Sequence, residues 1–355
     1  MTNTKYIGMD VHKESISMAV RNVDGKIVME CVIETKANMI LQLIEGLRGD
    51  VYVTFEEGTW AAWLYDLLRP HVTKVVVCDP RRNALLQEGN QNDRVDARKL
   101  AELLHHNQLR AVYHGDHGLR TLKELVRSYL TITQDLTRVM TRVKAIYRSW
   151  GIPCSGKQVY GPGHRSEWLG KINEPGVRRR AEFYYQQLDA LRLLRQEVRR
   201  DLLAESKKHK AWKLLWQIPS IGPIRAAVLL GILQTPHRFR TKRQLWTYGG
   251  VGIETSSSAD HQVIKGQLER KKKQVEIRGL NRNYNHDLKN LFKGAAIVAA
   301  SKPGPFAEFY AGLLAKGMRP EMARLTLARK IATIVLIVWK RGVRFDAHHL
   351  KPQTA

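Results

Sequence analysis

Two different hydrophobic periods divide this chain, and the point where one gives way to the other limits what it can fold into. Up to about residue 110 the apolar residues come in short runs. YIGMDVH, SISMAVRN and KIVMECVIE read as three successive strands, with Asp24-Gly25 turning the second into the third. NMILQLIEGL then has helical spacing, VYVTFE is a strand, AAWLYDLLRP a helix that stops at Pro70, KVVVCDP a buried strand, and NDRVDARKLAELL a helix with a capped start. From about 117, LRTLKELVRSYLTITQDLTRVMTRVKAIYRSW instead keeps apolar residues at three- and four-residue intervals over about 34 residues, as one amphipathic helix does. A strand-rich module is therefore followed by something long and helical.

Three strands, helix, strand, helix, strand, helix is the element order of an RNase H-like α/β domain, expected over residues 1–112. A loop holding Gly151, Pro153, Gly161, Pro162 and Gly163 separates the first long helix from a second, Val177 to Lys208. The pair predicts an antiparallel hairpin or coiled-coil arm over 113–210 that dimerises or lies along a duplex. Residues 211–355 form a mostly α-helical remainder. In it, IPSIGPIRAAVLLGIL sets Pro219, Gly222 and Pro223 in a tight turn opening into an apolar helix, the pattern of a helix-hairpin-helix. Such a turn offers backbone N–H groups, Gly222 among them, to a phosphate.

Charge follows the same division. Residues 1–110 carry 14 Lys/Arg against 15 Asp/Glu, a balance of −1, whereas the other 245 carry 45 against 18, a surplus of +27 in a chain of net charge +26. A balanced module beside a strongly basic one suits an enzyme acting on nucleic acid, since carboxylates that hold divalent metal must stand apart from the cations that hold phosphate. A membrane partner is not expected: the longest apolar run, Ile331 to Trp339, falls well short of the ~20 residues a spanning helix needs. The N-terminus lacks the apolar core of a secretion signal, and Cys31, Cys78 and Cys154 are too scattered for a zinc site or disulfide framework. A reducing cytosolic compartment is the expectation.

Four acids stand out by position. Asp10 lies within an apolar strand, where a carboxylate is costly unless paired. Glu56 ends VYVTFE, with Glu57 as its neighbour and competitor. Asp93 and Asp96 project from one face at a helix start. If the strands of Asp10 and Glu56 are adjacent, the four can converge on one or two Mg²⁺. Read singly, Asp93 and Asp96 also fit an N-cap and capping box. Among the basic residues, Arg127, Arg138, Arg142 and Lys144 of the first long helix suit an RNA stem, and Arg270, Lys271, Lys272, Lys273, Arg278 and Arg282 suit a nucleic-acid backbone. Tyr284 is available to stack on a base.

GMDVHKES, FEEGT, NDRVDARKLAELL, IPSIGPIRAAVLL and GLNRNYNHDLKNLFKGAA together resemble the DEDD-type insertion-sequence transposases, in particular the subgroup with the long GLNRN motif. The resemblance runs nearly end to end. It implies a RuvC-like RNase H-fold domain with the tetrad at Asp10, Glu56, Asp93 and Asp96, a coiled-coil dimerisation region, and a C-terminal transposase domain. It further implies a site-specific DNA recombinase guided by a structured noncoding RNA that pairs with donor and target DNA, working as a dimer or tetramer. The family's C-terminal serine becomes joined to DNA phosphate. Here it falls in ETSSSAD, where counting from Gly249-Gly250 favours Ser258, then Ser257, with Ser256 in the same triplet; the usual Ser-Gly pair is Ser258-Ala259. Two rival readings remain at this stage: a junction-resolving nuclease that hydrolyses DNA with water, and a non-catalytic RNA- or DNA-binding protein.

Overall fold

The computed structural model describes residues 3–80, 92–114, 119–256, 261–264, 267–270 and 276–350. They form two compact units, Met1–Gly115 and Asp116–Ala355.

The first unit runs β1 (Lys5–Val11), β2 (Ser15–Arg21), β3 (Ile27–Glu34), α1 (Ala37–Glu45), β4 (Val51–Glu56), α2 (Ala61–Leu68), β5 (Lys74–Cys78) and α3 (Asp93–His105), the order the sequence predicts. Its sheet is ordered β3-β2-β1-β4-β5. The first three strands pair antiparallel through short turns, whereas β4 and β5 lie parallel to β1 and need crossovers. At the β2–β3 turn the Asn22 side chain accepts the N–H groups of Asp24 and Lys26, and Gly25 takes a φ of +78°, where a side chain would be strained.

Strand alternation divides this sheet into two faces. Ile7, Met9, Ile16, Met18, Val20, Val51, Val53 and Phe55 bury one face against Ile40 and Ile44 of α1 and Leu64 and Leu68 of α2. The other face receives α3, with Ala19, Ala97 and Ala101 forming a small buried cluster and Leu100 of the helix buried beside them. Gly8 sits beneath them, and a Cβ there would lie 2.2 Å from the Ala97 carbonyl oxygen and 2.4 Å from the Ala101 nitrogen. The helix runs antiparallel to β1, because its last residue, His105, meets Tyr6 edge-on with ring centroids 4.9 Å apart. Arg21–Glu102 and Arg98–Glu30 ion pairs clamp its outer side to β2 and β3.

In the second unit α4 (Arg120–Ser149), α5 (Arg165–Gly170) and α6 (Pro175–Ser206) come first. The helix expected from about 117 is described from Arg120. α4 and α6 are antiparallel: the Tyr147 and Tyr185 hydroxyls lie 3.0 Å apart, and Arg195 donates to the Tyr129 hydroxyl at 3.3 Å nearer the other end. The far half of this hairpin has its own core, from Leu136 to Leu188 with Trp168 of α5. Its base does not stand apart. Leu122, Val126 and Leu202 enter the core built by α7 (Lys210–Trp216), α8 (Pro223–Leu233), α9 (Lys242–Tyr248), α10 (His286–Ser301), α11 (Pro305–Ala315) and α12 (Pro320–Arg341). The apolar run Ile331 to Trp339 is buried inside α12, and no helix among the described residues is long and apolar enough to cross a membrane.

Between α9 and α10 lie four strands that the sequence reading does not anticipate: β6 (Ile253–Ser256), β7 (His261–Ile264), β8 (Gln267–Arg270) and β9 (Glu276–Leu280). β6 pairs with β9 and β7 with β8, both antiparallel. Strands of four or five residues hold too few alternations to be recognised in so polar a stretch.

The close approach of α3 makes a sharp prediction. Gly8→Ala should cost at least about 2–3 kcal/mol in urea denaturation, because backbone rather than a flexible side chain must yield. Gly312→Ala, in open space within α11, should instead leave stability unchanged or raise it by about 0.5–1 kcal/mol.

Candidate metal centre

Asp10 lies two residues beyond Gly8 on the same strand, so its side chain leaves the sheet on the α3 face. Since α3 runs antiparallel to β1, its first turn arrives beside Asp10. That turn carries Asp93 and Asp96. Neither caps the helix. The N-cap is Asn92, whose side chain accepts the Val95 N–H at 2.8 Å, so the capping-box reading of the two aspartates does not hold and their carboxylates are left for other work. The helix N-terminus also favours negative charge in its first turn.

His12 completes the arrangement, and sequence reasoning passed over it. Its Nε2 lies 3.1 Å from Asp10 Oδ2 and 3.5 Å from Asp93 Oδ1. One ligand atom from each of these three residues falls within 4.8 Å of the others, the spacing of groups that can share a cation. Asp96 adds a buried Oδ1 that accepts no hydrogen bond, with the Lys99 ammonium at 3.9 Å. Burial raises the Asp10 pKa, the His12 hydrogen bond and charge lower it, and repulsion from Asp93 and Asp96 raises it again; the net shift is upward. An elevated carboxyl among other acids and a buried carboxylate oxygen that accepts no hydrogen bond are what a site built for a divalent cation presents without one.

Glu56 is brought level with these residues without joining the group of three. The parallel register pairs Gly8 with Thr54 and Met9 with Phe55, so Glu56 ends β4 beside Asp10, at the same edge of the sheet and on the face opposite Phe55. Glu57 is differently engaged: its carboxylate lies 2.6 Å from Nε2 of His114, whose ring stacks on Tyr65.

The expected nucleic-acid residues divide in a similar way. Arg127 and Arg138 are exposed and hold i,i+3 pairs with Glu124 and Asp135, which open at little cost, and Arg142 is exposed. Lys144 is committed to the fold, donating to the Gly156 carbonyl at 2.7 Å beside the Tyr160 ring. Gly222 caps α8 with nothing within 4 Å of a Cβ position. Arg282 is exposed, but the Tyr284 ring lies against Gly250, whose Cβ would come within 2.6 Å of it, and under Lys289 Nζ at 4.0 Å. One side of that ring is therefore already covered. Ser257, Ser258, Lys271, Lys272 and Lys273 lie outside the described residues, as do the side chains of Ser256, Arg270 and Arg278.

The GLNRN stretch has a structural task. Asn281 donates from its side chain to the carbonyls of Thr247 and Asn283, and Asn285 caps α10. The β9 end of the segment is thereby fixed to α9 and α10.

A family model for a transposase domain of the DEDD IS110 type matches residues 7–149. A second, described as transposase IS116/IS110/IS902 family, matches residues 212–311. A search of curated proteins returns no match. The first span contains all four acids and continues to the end of α4, and the second contains the α7–α8 turn and β6–β9. The molecule is thus a transposase, a DNA-acting enzyme. More particularly, it carries in order both domains of the IS110 family, which implies DNA substrates and a divalent metal. The hard carboxylate donors of Asp10, Asp93 and Asp96 fit such an ion.

A pH dependence follows from Asp10. With a folded pKa raised above the ordinary 3.8, it contributes stability that is complete below that value and is lost as pH rises through the raised one. Metal-free Asp10→Asn should lack this loss and melt above the wild type near neutral pH, while binding divalent cations more weakly. Calorimetric melts from about pH 4 to 8 check the sign; a variant melting lower at neutral pH would contradict it.

Proposed function

We propose that this transposase is an RNA-guided, site-specific DNA recombinase of an insertion sequence, which cuts and rejoins strands through a serine–phosphate intermediate. The observation that carries the reading is the meeting of Asp10, Asp93 and Asp96 at the edge of a mixed sheet ordered β3-β2-β1-β4-β5, as a RuvC-like RNase H fold requires. In this reading Glu56 is the fourth acid and Mg²⁺ the ion. When bound, it would neutralise charge on the phosphate under attack. The acids would hold that ion, and through it orient the phosphate.

Ser258 is the proposed nucleophile, with Ser257 next. Its hydroxyl oxygen bonds to a DNA phosphorus as the bond to a deoxyribose oxygen breaks; a base takes the serine proton, and the departing deoxyribose oxygen takes up a proton to leave as a hydroxyl. The hydroxyl of the incoming strand later attacks the same phosphorus and frees the serine. One phosphodiester is exchanged for another, so no ATP is needed. Arg127, Arg138 and Arg142 on α4 suit the guide RNA, and the basic residues around β8 and β9 suit nucleic-acid backbone. The domains are proposed as 1–112, 113–210 with a dimerising coiled coil, and 211–355, acting in a dimer or tetramer in the bacterial cytoplasm.

Purified protein should be incubated with its flanking noncoding RNA, donor and target DNA, and Mg²⁺, and then probed for a denaturant-resistant adduct. Ser258→Ala should abolish the adduct, and Ser257→Ala should keep it. Asp10→Asn should lower adduct formation by roughly 100-fold or more. Cleavage without any adduct would favour hydrolysis by water, and joining without RNA would sink the guided mechanism while leaving recombination standing.

A further inference from the structure

Among the described residues the acidic site contains one imidazole, and its placement is too constrained for a casual surface contact. His12 follows β1 directly, and its backbone is fixed at both ends. Its N–H donates to the Ser15 carbonyl at 2.9 Å, closing the β1–β2 turn, and its carbonyl accepts the Thr35 hydroxyl at 2.9 Å from beyond β3. The side chain that leaves this pinned backbone puts Nε2 between two carboxylates from different elements, Asp10 of β1 and Asp93 of α3. About half of that side chain is exposed, which leaves an open side for water or substrate.

We propose that His12 is a ligand of the catalytic divalent ion, so that the centre is a mixed carboxylate–imidazole site selecting a first-row transition ion such as Mn²⁺ over Mg²⁺. The inference rests on the reading that Asp10 and Asp93 hold a divalent cation, and it changes the donor set of that site. An all-oxygen centre suits Mg²⁺, a hard ion that keeps its waters and gains little from imidazole. One neutral imidazole nitrogen shifts the balance toward ions that bind nitrogen well. The competing role is that of a counterion: a protonated His12 bridging the two acids until metal displaces it. The two roles predict opposite effects of removing the ring, because a lost ligand weakens binding and a lost competitor strengthens it.

The test uses the full chain with MnCl₂ or MgCl₂ alone, no nucleic acid being required. Titration calorimetry should show His12→Ala binding Mn²⁺ about 10-fold or more weakly and Mg²⁺ less affected, so that the preference between them narrows. Pulsed electron paramagnetic resonance of the bound Mn²⁺ should show coupling to a nitrogen nucleus in the wild type and none in His12→Ala. His12→Gln, which restores an oxygen donor, should recover part of the Mg²⁺ affinity without the nitrogen coupling. Thermal melts of both variants check that the β1–β2 turn is intact, and should one be unfolded, the spin measurement on the wild type decides alone. Absence of nitrogen coupling in wild-type protein whose Mn²⁺ binding is abolished by Asp10→Asn, or tighter Mn²⁺ binding in His12→Ala, would overturn the ligand role and leave the acidic site standing. Failure of the wild type to bind either ion would remove the metal centre itself, and the histidine assignment with it.

Discussion

The approach of α3 to β1 over Gly8 is the constraint on which the candidate site depends. A helix whose backbone rests on a strand backbone at a glycine, with Ala97, Leu100 and Ala101 at the contact, cannot slide or tilt without a clash, so its first turn is held at one height above the sheet. That height brings Asp93 and Asp96 to Asp10. The opposite face of the same sheet obtains its stability from larger side chains of α1 and α2, where precise height matters less to the chemistry. The sheet thus separates its tasks, with bulk apolar burial on one side and close positioning on the other.

Gathering like charges has an energetic consequence that the local fold only partly offsets. The N-terminus of α3 and the His12 ring act against the mutual repulsion of the aspartates, yet Asp10 remains elevated and one buried Asp96 oxygen accepts no hydrogen bond from the described residues. Residual electrostatic strain of this kind gives a cation site its affinity, since what destabilises the empty centre is relieved on binding. The second unit is built to different rules. Its long hairpin is anchored at the base by Leu122, Val126 and Leu202 within the C-terminal core, and its far half is held by a small core of its own, which lets it extend without becoming loose.

Much of the first unit was legible from the residues. β4 and β5 match the runs read as strands, α3 begins at the Asp93 expected, and the order of all eight elements is the one that periodicity gives. These are elements whose burial is one-sided and whose hydrophobic period is therefore clear. Less legible were β6 to β9, too short to show a period, and the tasks of individual polar residues. Lys144 reads from the sequence as one more cation on a basic helix, and only the return of the chain at Gly156 gives it a carbonyl to hold. Asp93 reads as a cap because nothing in the order of residues says that Asn92 already does that work.

By itself the sequence determined the hydrophobic periods, the turns at Gly25 and Gly222, the division of charge between the two halves of the chain, and the identity of the acids available for chemistry. These are local properties, set by neighbours within a few positions. Tertiary structure alone decided that His12 belongs with Asp10 and Asp93, that Glu57 turns to His114, and that Tyr284 lies against Gly250. Each of those meetings joins parts of the chain whose separation is fixed by packing rather than by period. Ångström-scale distances between side chains on different elements are set only once the backbones beneath them have been pressed together.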